Sequence, residues 1–256
     1  MSGAAHEIRH ILKALPDAVR RSSKLPREES AARLRGVPLH LIELAALGAL
    51  RLVPPRWYHA VSEEEGSSRV LVVHGYAGHP HSNGPLRHHL DRQGFRTESI
   101  DLRGHDDVPA MADALGDWLQ QNVTSNEPVA IVAHSLGGVV ARYACRNADV
   151  RARIERMVTL GSPHEGTRIA DLVDSEKASA LERDAELTER LERQEPWDPN
   201  EFPRLICLWS RSDLMMVPPQ AAVADGAEDR ELEGMTHYGY MLHPRAWRAI
   251  VEALRA

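Results

Sequence analysis

From His74 onward, short runs of apolar and β-branched residues alternate with longer stretches in which apolar positions return every three to four residues. That rhythm predicts strands over Arg69–His74 (RVLVVH), Arg96–Asp101 (RTESID), Pro128–His134 (PVAIVAH), Ile154–Gly161 (IERMVTLG) and Leu205–Ser210 (LICLWS). Helices are expected between them over Pro85–Gln93, Pro109–Asn122 and Gly137–Asn147, and an amphipathic helix, Pro244–Leu254, closes the chain. Several of the strands are apolar throughout, which is how a strand reads when helices cover both faces of its sheet. Strands and helices in alternation imply crossover units on a mainly parallel central sheet flanked by helices, an α/β fold.

Two regions depart from this rhythm. The first sixty residues show helical patterns over about Ala4–Arg21 and Leu39–Leu52, ending at Val53-Pro-Pro-Arg-Trp, where Pro54 and Pro55 stop any helix. Residues 1–60 are therefore expected to form an N-terminal helical extension packed on a core of residues 61–256, with a peripheral membrane or partner contact as the other reading. The densely charged stretch about 166–203 carries Leu172, Val173, Leu181, Leu187 and Leu191 at loose helical spacing. It is expected to be a lid or cap insertion, or else a surface helical hairpin with no gating role.

A chain of 256 residues with 43% apolar content suits one large α/β domain. Its formal charge of −6, with both signs interspersed, provides no basic field and argues against a nucleic-acid partner. Cys145 and Cys207 fall within expected buried elements, and without a CxxC or Cys/His cluster they read as free apolar fillers. The opening residues lack an apolar signal core. The most apolar stretch, Val37–Val53, is too short to span a bilayer and carries His40, Glu43 and Arg51, so a cytoplasmic location is expected.

The chemistry is carried by Val129-Ala-Ile-Val-Ala-His-Ser-Leu-Gly-Gly-Val-Val, an apolar strand that turns at Ser135 directly into a helix. Small residues two before and two after the serine, Ala133 and Gly137, let strand and helix approach closely enough for a strained turn to present the hydroxyl. The usual first small residue is glycine, and alanine stands there in this chain. His134 is expected to pack or orient, since neighbours on a strand point to opposite faces.

A serine hydroxyl becomes a nucleophile when an imidazole takes its proton and a carboxylate orients that imidazole. Asp213, after the strand LICLWS, is the expected acid, with Asp225 and Asp229 as rivals lacking a preceding buried strand. His237, ahead of the closing helix, is the expected base, and His243 beside Pro244 is its rival. Two N–H donors should stabilise the oxyanion, from Leu136 after the nucleophile and from Tyr76 in the glycine-bearing loop His74-Gly-Tyr-Ala-Gly. His79, His81, His88, His89 and His105 match no zinc spacing and read as surface imidazoles.

Taken together these segments resemble the bacterial lipases and esterases of the α/β-hydrolase superfamily. VLVVHGYAG is similar to the family's oxyanion strand and loop, FRTESIDLRGH to its next strand, AIVAHSLGGVVARY to its nucleophile elbow and TLGSPHEGTRIAD to the strand and turn that follow. WSRSDLMMVPPQAA is similar to its acid loop and GMTHYGYMLHPRAW to its histidine loop. The resemblance implies an α/β-hydrolase fold with Ser135, Asp213 and His237 as triad and the Tyr76 and Leu136 N–H groups as oxyanion donors. It implies a carboxylic-ester hydrolase acting through an acyl-enzyme on small-molecule or lipid esters, with no cofactor and no metal carried over. Acyl transfer or thioester hydrolysis with the same triad, and a non-catalytic binding role on the same fold, are the other readings.

Overall fold

The computed structural model describes residues 27–50, 68–76, 78–168, 170, 179–182, 186–187, 191 and 197–256. The expected helix over Ala4–Arg21, the proline pair after the second N-terminal helix and most of the 166–203 insertion lie outside the described residues.

Strands form where β-branched and apolar residues have a covered surface on both sides. β1 (Arg69–Val73) is buried after its first residue, and β3 (Val129–His134) is buried throughout. With β2 (Arg96–Ile100), β4 (Ile154–Leu160), β5 (Arg204–Trp209) and β6 (Glu228–Glu231) they build one sheet in the order β2-β1-β3-β4-β5-β6, every pairing parallel.

Alternate strand residues point to opposite faces, and each face has its own core. Leu71, Val73, Ile131, Ala133 and Met157 pack with Met111, Leu115 and Leu119 of α3 (Val108–Asn122) and Val139 and Val140 of α4 (Leu136–Ala144). Val70, Val72, Val132, Val158, Ile206 and Leu208 pack with Leu86 and Leu90 of α2 (Gly84–Arg92) and Ala246, Ile250 and Leu254 of α7 (Pro244–Arg255). Cys145 and Cys207 are buried free thiols in the first of these cores, and burial pushes the Cys145 thiol up to about 12.

Strand ends fall within a residue of expectation, but three differences stand out. The helix after Ser135 stops at Ala144, because the Asn147 side chain accepts the Asp149 and Val150 N–H groups and caps a separate turn, α5 (Ala148–Arg151). The expected Leu39–Leu52 helix is the end of a longer one, α1 (Arg27–Leu50), which continues through Pro38. β6 has no counterpart in the hydropathy pattern, since its sequence is Glu-Asp-Arg-Glu. It is an edge strand, where charge blunts an open edge, and Glu228 pairs with Arg204 of β5 and with Arg230. Among the described residues no helix is long and apolar enough to cross a membrane.

This topology decides where a site belongs. From β1 the chain steps outward to β2, then back past β1 to β3, so the strand order reverses between β1 and β3. Their carboxyl ends open a crevice at that reversal, the usual ligand position in an open parallel sheet.

Candidate active site

Ser135 sits at the carboxyl end of β3 with φ 53° and ψ −125°, the one non-glycine residue of positive φ among those described. Such a backbone costs on the order of 1–3 kcal/mol and persists only where its surroundings hold it. Here the frame is strong. β3 is paired with β1 through Ala133 and with β4 through His134, and the Ser135 N–H donates to the Leu160 carbonyl at 3.0 Å. α4 begins at the next residue, Leu136, whose N–H is at the positive end of that helix.

The loop after β1 comes against this turn. A Cβ placed on Gly75 would fall 2.8 Å from the Ser135 Cβ and 2.9 Å from the His134 carbonyl, so no larger residue fits between loop and elbow. His74 sets the loop's course. Its Nε2 accepts the Leu102 N–H at 3.1 Å, which leaves the proton on Nδ1 to donate to the Gly75 carbonyl at 2.9 Å. Tyr76, the expected oxyanion residue, follows directly and packs its side chain on Leu214.

Asp213 and His237 are brought together. The His237 Nδ1 lies 2.9 Å from the Asp213 Oδ2 in a buried pair, and the Met215 N–H donates to the other carboxylate oxygen at 2.8 Å. Burial alone would raise this carboxyl. The charge and hydrogen bond of His237, with a smaller effect of His40, outweigh it and hold the acid below the usual carboxylate range. Gly161 makes room: with φ at 53°, a Cβ there would meet the Asp213 Oδ2 at 2.6 Å.

His134 joins the serine side to the histidine side. Its Nε2 lies 2.9 Å from the His237 carbonyl, which can only accept, so Nε2 carries the proton. The two rings pack at 4.7 Å. Burial, and then the nearby His237, push the His134 imidazole down to about 3, so it stays neutral as a fixed donor. Its position is that of an orienting group.

The rivals lie elsewhere. His243 is exposed and caps α7 by accepting the Arg245 N–H at 3.1 Å. Asp229 lies on the edge strand β6 and accepts from the Trp209 indole at 2.9 Å. Asp225 is exposed in the turn before β6. Among the described residues no group of three His, Cys, Asp or Glu side chains is placed to hold a metal. An open cavity of about 650 Å³ between α3 and the end of α4 includes Asp113, Asp117, Tyr143 and Arg146 in its wall but none of the residues above.

Sequence reasoning missed two residues. His40 and Glu43 of α1 reach the loops of Asp213 and His237: His40 Nε2 accepts the His237 N–H at 3.1 Å, and Glu43 accepts from the Thr236 hydroxyl. Their one signal was polarity inside the most apolar stretch of the chain.

Comparison with known proteins agrees with the topology. The sequence profile described as the alpha/beta hydrolase fold matches residues 68–206, more than half of the chain. The chain belongs to the alpha/beta hydrolase family. The matched span contains Ser135 and the loop after β1, whereas α1, Asp213 and His237 lie outside it. A lipase of Mycobacterium tuberculosis, LipV, is 32% identical to this chain over 124 residues, 44% of this chain and 45% of that protein. The alignment thus spans about half the length of that relative. Mature Bacillus licheniformis lipase BlEst2 superposes with a TM-score of 0.65 at 17% identity, covering 77% of the present chain and 96% of the lipase chain. Aspergillus fumigatus lipase B gives 0.61 at 16% identity, covering 77% and 56% respectively. At such identities these two structures speak for the fold.

Proposed function

We propose that this protein is a carboxylic-ester hydrolase of the esterase or lipase kind, with Ser135 as nucleophile, His237 as general base and Asp213 as the orienting acid. The observation that supports it most is the buried Asp213–His237 pair joined through His134 to the strained turn at Ser135, at the sheet's reversal point. A carboxylate held ionised at Nδ1 keeps the proton there and leaves Nε2 unprotonated, the form that accepts a serine proton.

In the proposed reaction, Ser135 Oγ attacks the ester carbonyl carbon while His237 takes its proton. The Tyr76 and Leu136 N–H groups then hold the oxyanion. Collapse breaks the bond to the alcohol oxygen, which leaves with the proton from His237. Water, activated by the same imidazole, attacks the acyl-enzyme and releases the carboxylic acid and free Ser135. A lipase relative is consistent with a substrate whose acyl part is apolar.

The test is hydrolysis of p-nitrophenyl esters from acetate to palmitate by the purified chain beside Ser135→Ala. Activity in the wild type that is lost in the folded variant is the expected result, with its peak along the series defining the acyl length. Equal inactivity of both proteins would refute the assignment.

A further inference from the structure

α1 lies outside the residues that match the hydrolase family, yet it packs on the loops that carry Asp213 and His237. Its inward positions, Val37, His40, Leu44 and Leu47, recur at helical spacing, while Leu39, Leu41 and Ile42 face outward and are exposed. Val37 and Leu44 pack on Leu214 of the acid loop, as does Tyr76 of the oxyanion loop. The Leu47 carbonyl accepts the Ser82 hydroxyl at 3.2 Å.

At the centre of that face His40 is 1% exposed, and its ring meets Tyr238 edge-on at 6.4 Å. One ring nitrogen, Nε2, is approached by two backbone N–H groups, that of His237 at 3.1 Å and that of Leu214 at 3.4 Å. Both donors are backbone amides, so Nε2 must carry a lone pair and the imidazole is held as the Nδ1–H form. One lone pair therefore fastens the residue after the acid to the base itself. One turn of helix further on, Glu43 accepts the Thr236 hydroxyl, whose oxygen in turn accepts the Gly239 N–H at 3.0 Å.

The His237 backbone is thus held from both sides by imidazoles of opposite polarity. His134, on the sheet, donates to its carbonyl, and His40, on α1, accepts from its N–H. No strand pairing fixes this loop, which lies between β6 and the short helix α6 (Gly239–Leu242). We infer that His40 is a positioning residue for the reaction proposed above: through its Nε2 lone pair, the N-terminal helix sets the orientation of the base and its register with the acid. The inference rests on the triad reading and makes α1 part of the catalytic apparatus.

The experiment uses the full chain as wild type, His40→Leu, His40→Gln, His40→Asn and Ser135→Ala. A fluorophosphonate probe counts reactive sites, kcat and KM are measured on the best p-nitrophenyl ester, and thermal midpoints report folding. A displaced base costs rate rather than binding, so His40→Leu is expected to lower kcat per labelled site by about 10- to 100-fold with KM nearly unchanged. Glutamine places a carbonyl oxygen near the Nε2 position and should recover most of that loss, whereas the shorter asparagine should not. This amide pair keeps the test decisive if the leucine variant fails to fold. Wild-type kcat per labelled site in His40→Leu, or equal activity in the two amide variants, would overturn the inference. If the wild type neither hydrolyses esters nor takes a label that Ser135→Ala abolishes, the triad reading fails first and the inference with it.

Discussion

Ser135 and His237 are both held by their surroundings, but by different kinds of structure. The serine belongs to a frame that is nearly continuous in sequence: β3, the turn and α4 run from Val129 to Ala144, with β1 and β4 bonded on either side. The histidine lies in a buried stretch with no strand, and its partners come from Asp213, His134 and His40, separated from it by 24, 103 and 197 residues. A strained turn needs a rigid local frame to pay its cost, whereas a base needs its ring angle set, and single hydrogen bonds from distant elements do that.

Substitutions that strike each side separately sharpen this contrast. The largest effect is expected from Ser135→Gly, which removes the proposed nucleophile and relaxes the positive φ. Ester hydrolysis should fall by about a millionfold, while urea melts show about 1 kcal/mol of added stability from relieved strain. A stability loss instead would mean that the frame does not strain the turn. Next comes Asp213→Asn, which keeps the shape but permits the wrong His237 tautomer. Steady-state kinetics should show kcat down by about 10⁴-fold.

Gly161→Ala drives a methyl group into the Asp213 carboxylate at a positive φ, so it should disturb the histidine side and spare the elbow. We expect a loss of about 10- to 100-fold in kcat, as for a small displacement of a reacting group. Fluorophosphonate labelling by the intact serine should persist, only slowed. A fully dead serine would show that the two sides are not separable.

The smallest effect concerns pH. His134 titrates near 3 when folded, against about 6.5 in an unfolded chain. Because the folded value is depressed, the unfolded state binds the extra proton between those limits, and stability falls as pH drops below about 6.5. The contribution from this residue is about 2 kcal/mol lost by pH 5. Denaturant titrations at pH 7 and pH 5 should show a smaller drop in His134→Gln than in the wild type; equal drops would place the proton elsewhere.

Much of this was legible in residue order. β1, β3 and β5 announce themselves as apolar runs because both of their faces are covered, and the serine is flagged by small residues where strand meets helix. Asp213 and His237, which the structure brings into one hydrogen bond, are picked out by position alone, after a buried strand and before the last helix. β6 could not be read, because an edge strand gains its stability from pairing with β5 and from charge pairs, and Glu-Asp-Arg-Glu has no hydropathy signal.

The sequence by itself thus determined the strands, the sheet class and the identity of the candidate nucleophile, since burial on two faces and a tight turn both leave a periodic or compositional trace within a few residues. The tertiary structure alone decided that, from a helix outside the family-matched region, His40 meets His237 and Glu43 meets its neighbour Thr236, and that His134 grips His237 from the other side. Those contacts are single directional hydrogen bonds between residues far apart in the chain, and no local pattern records which buried amide a given imidazole will face.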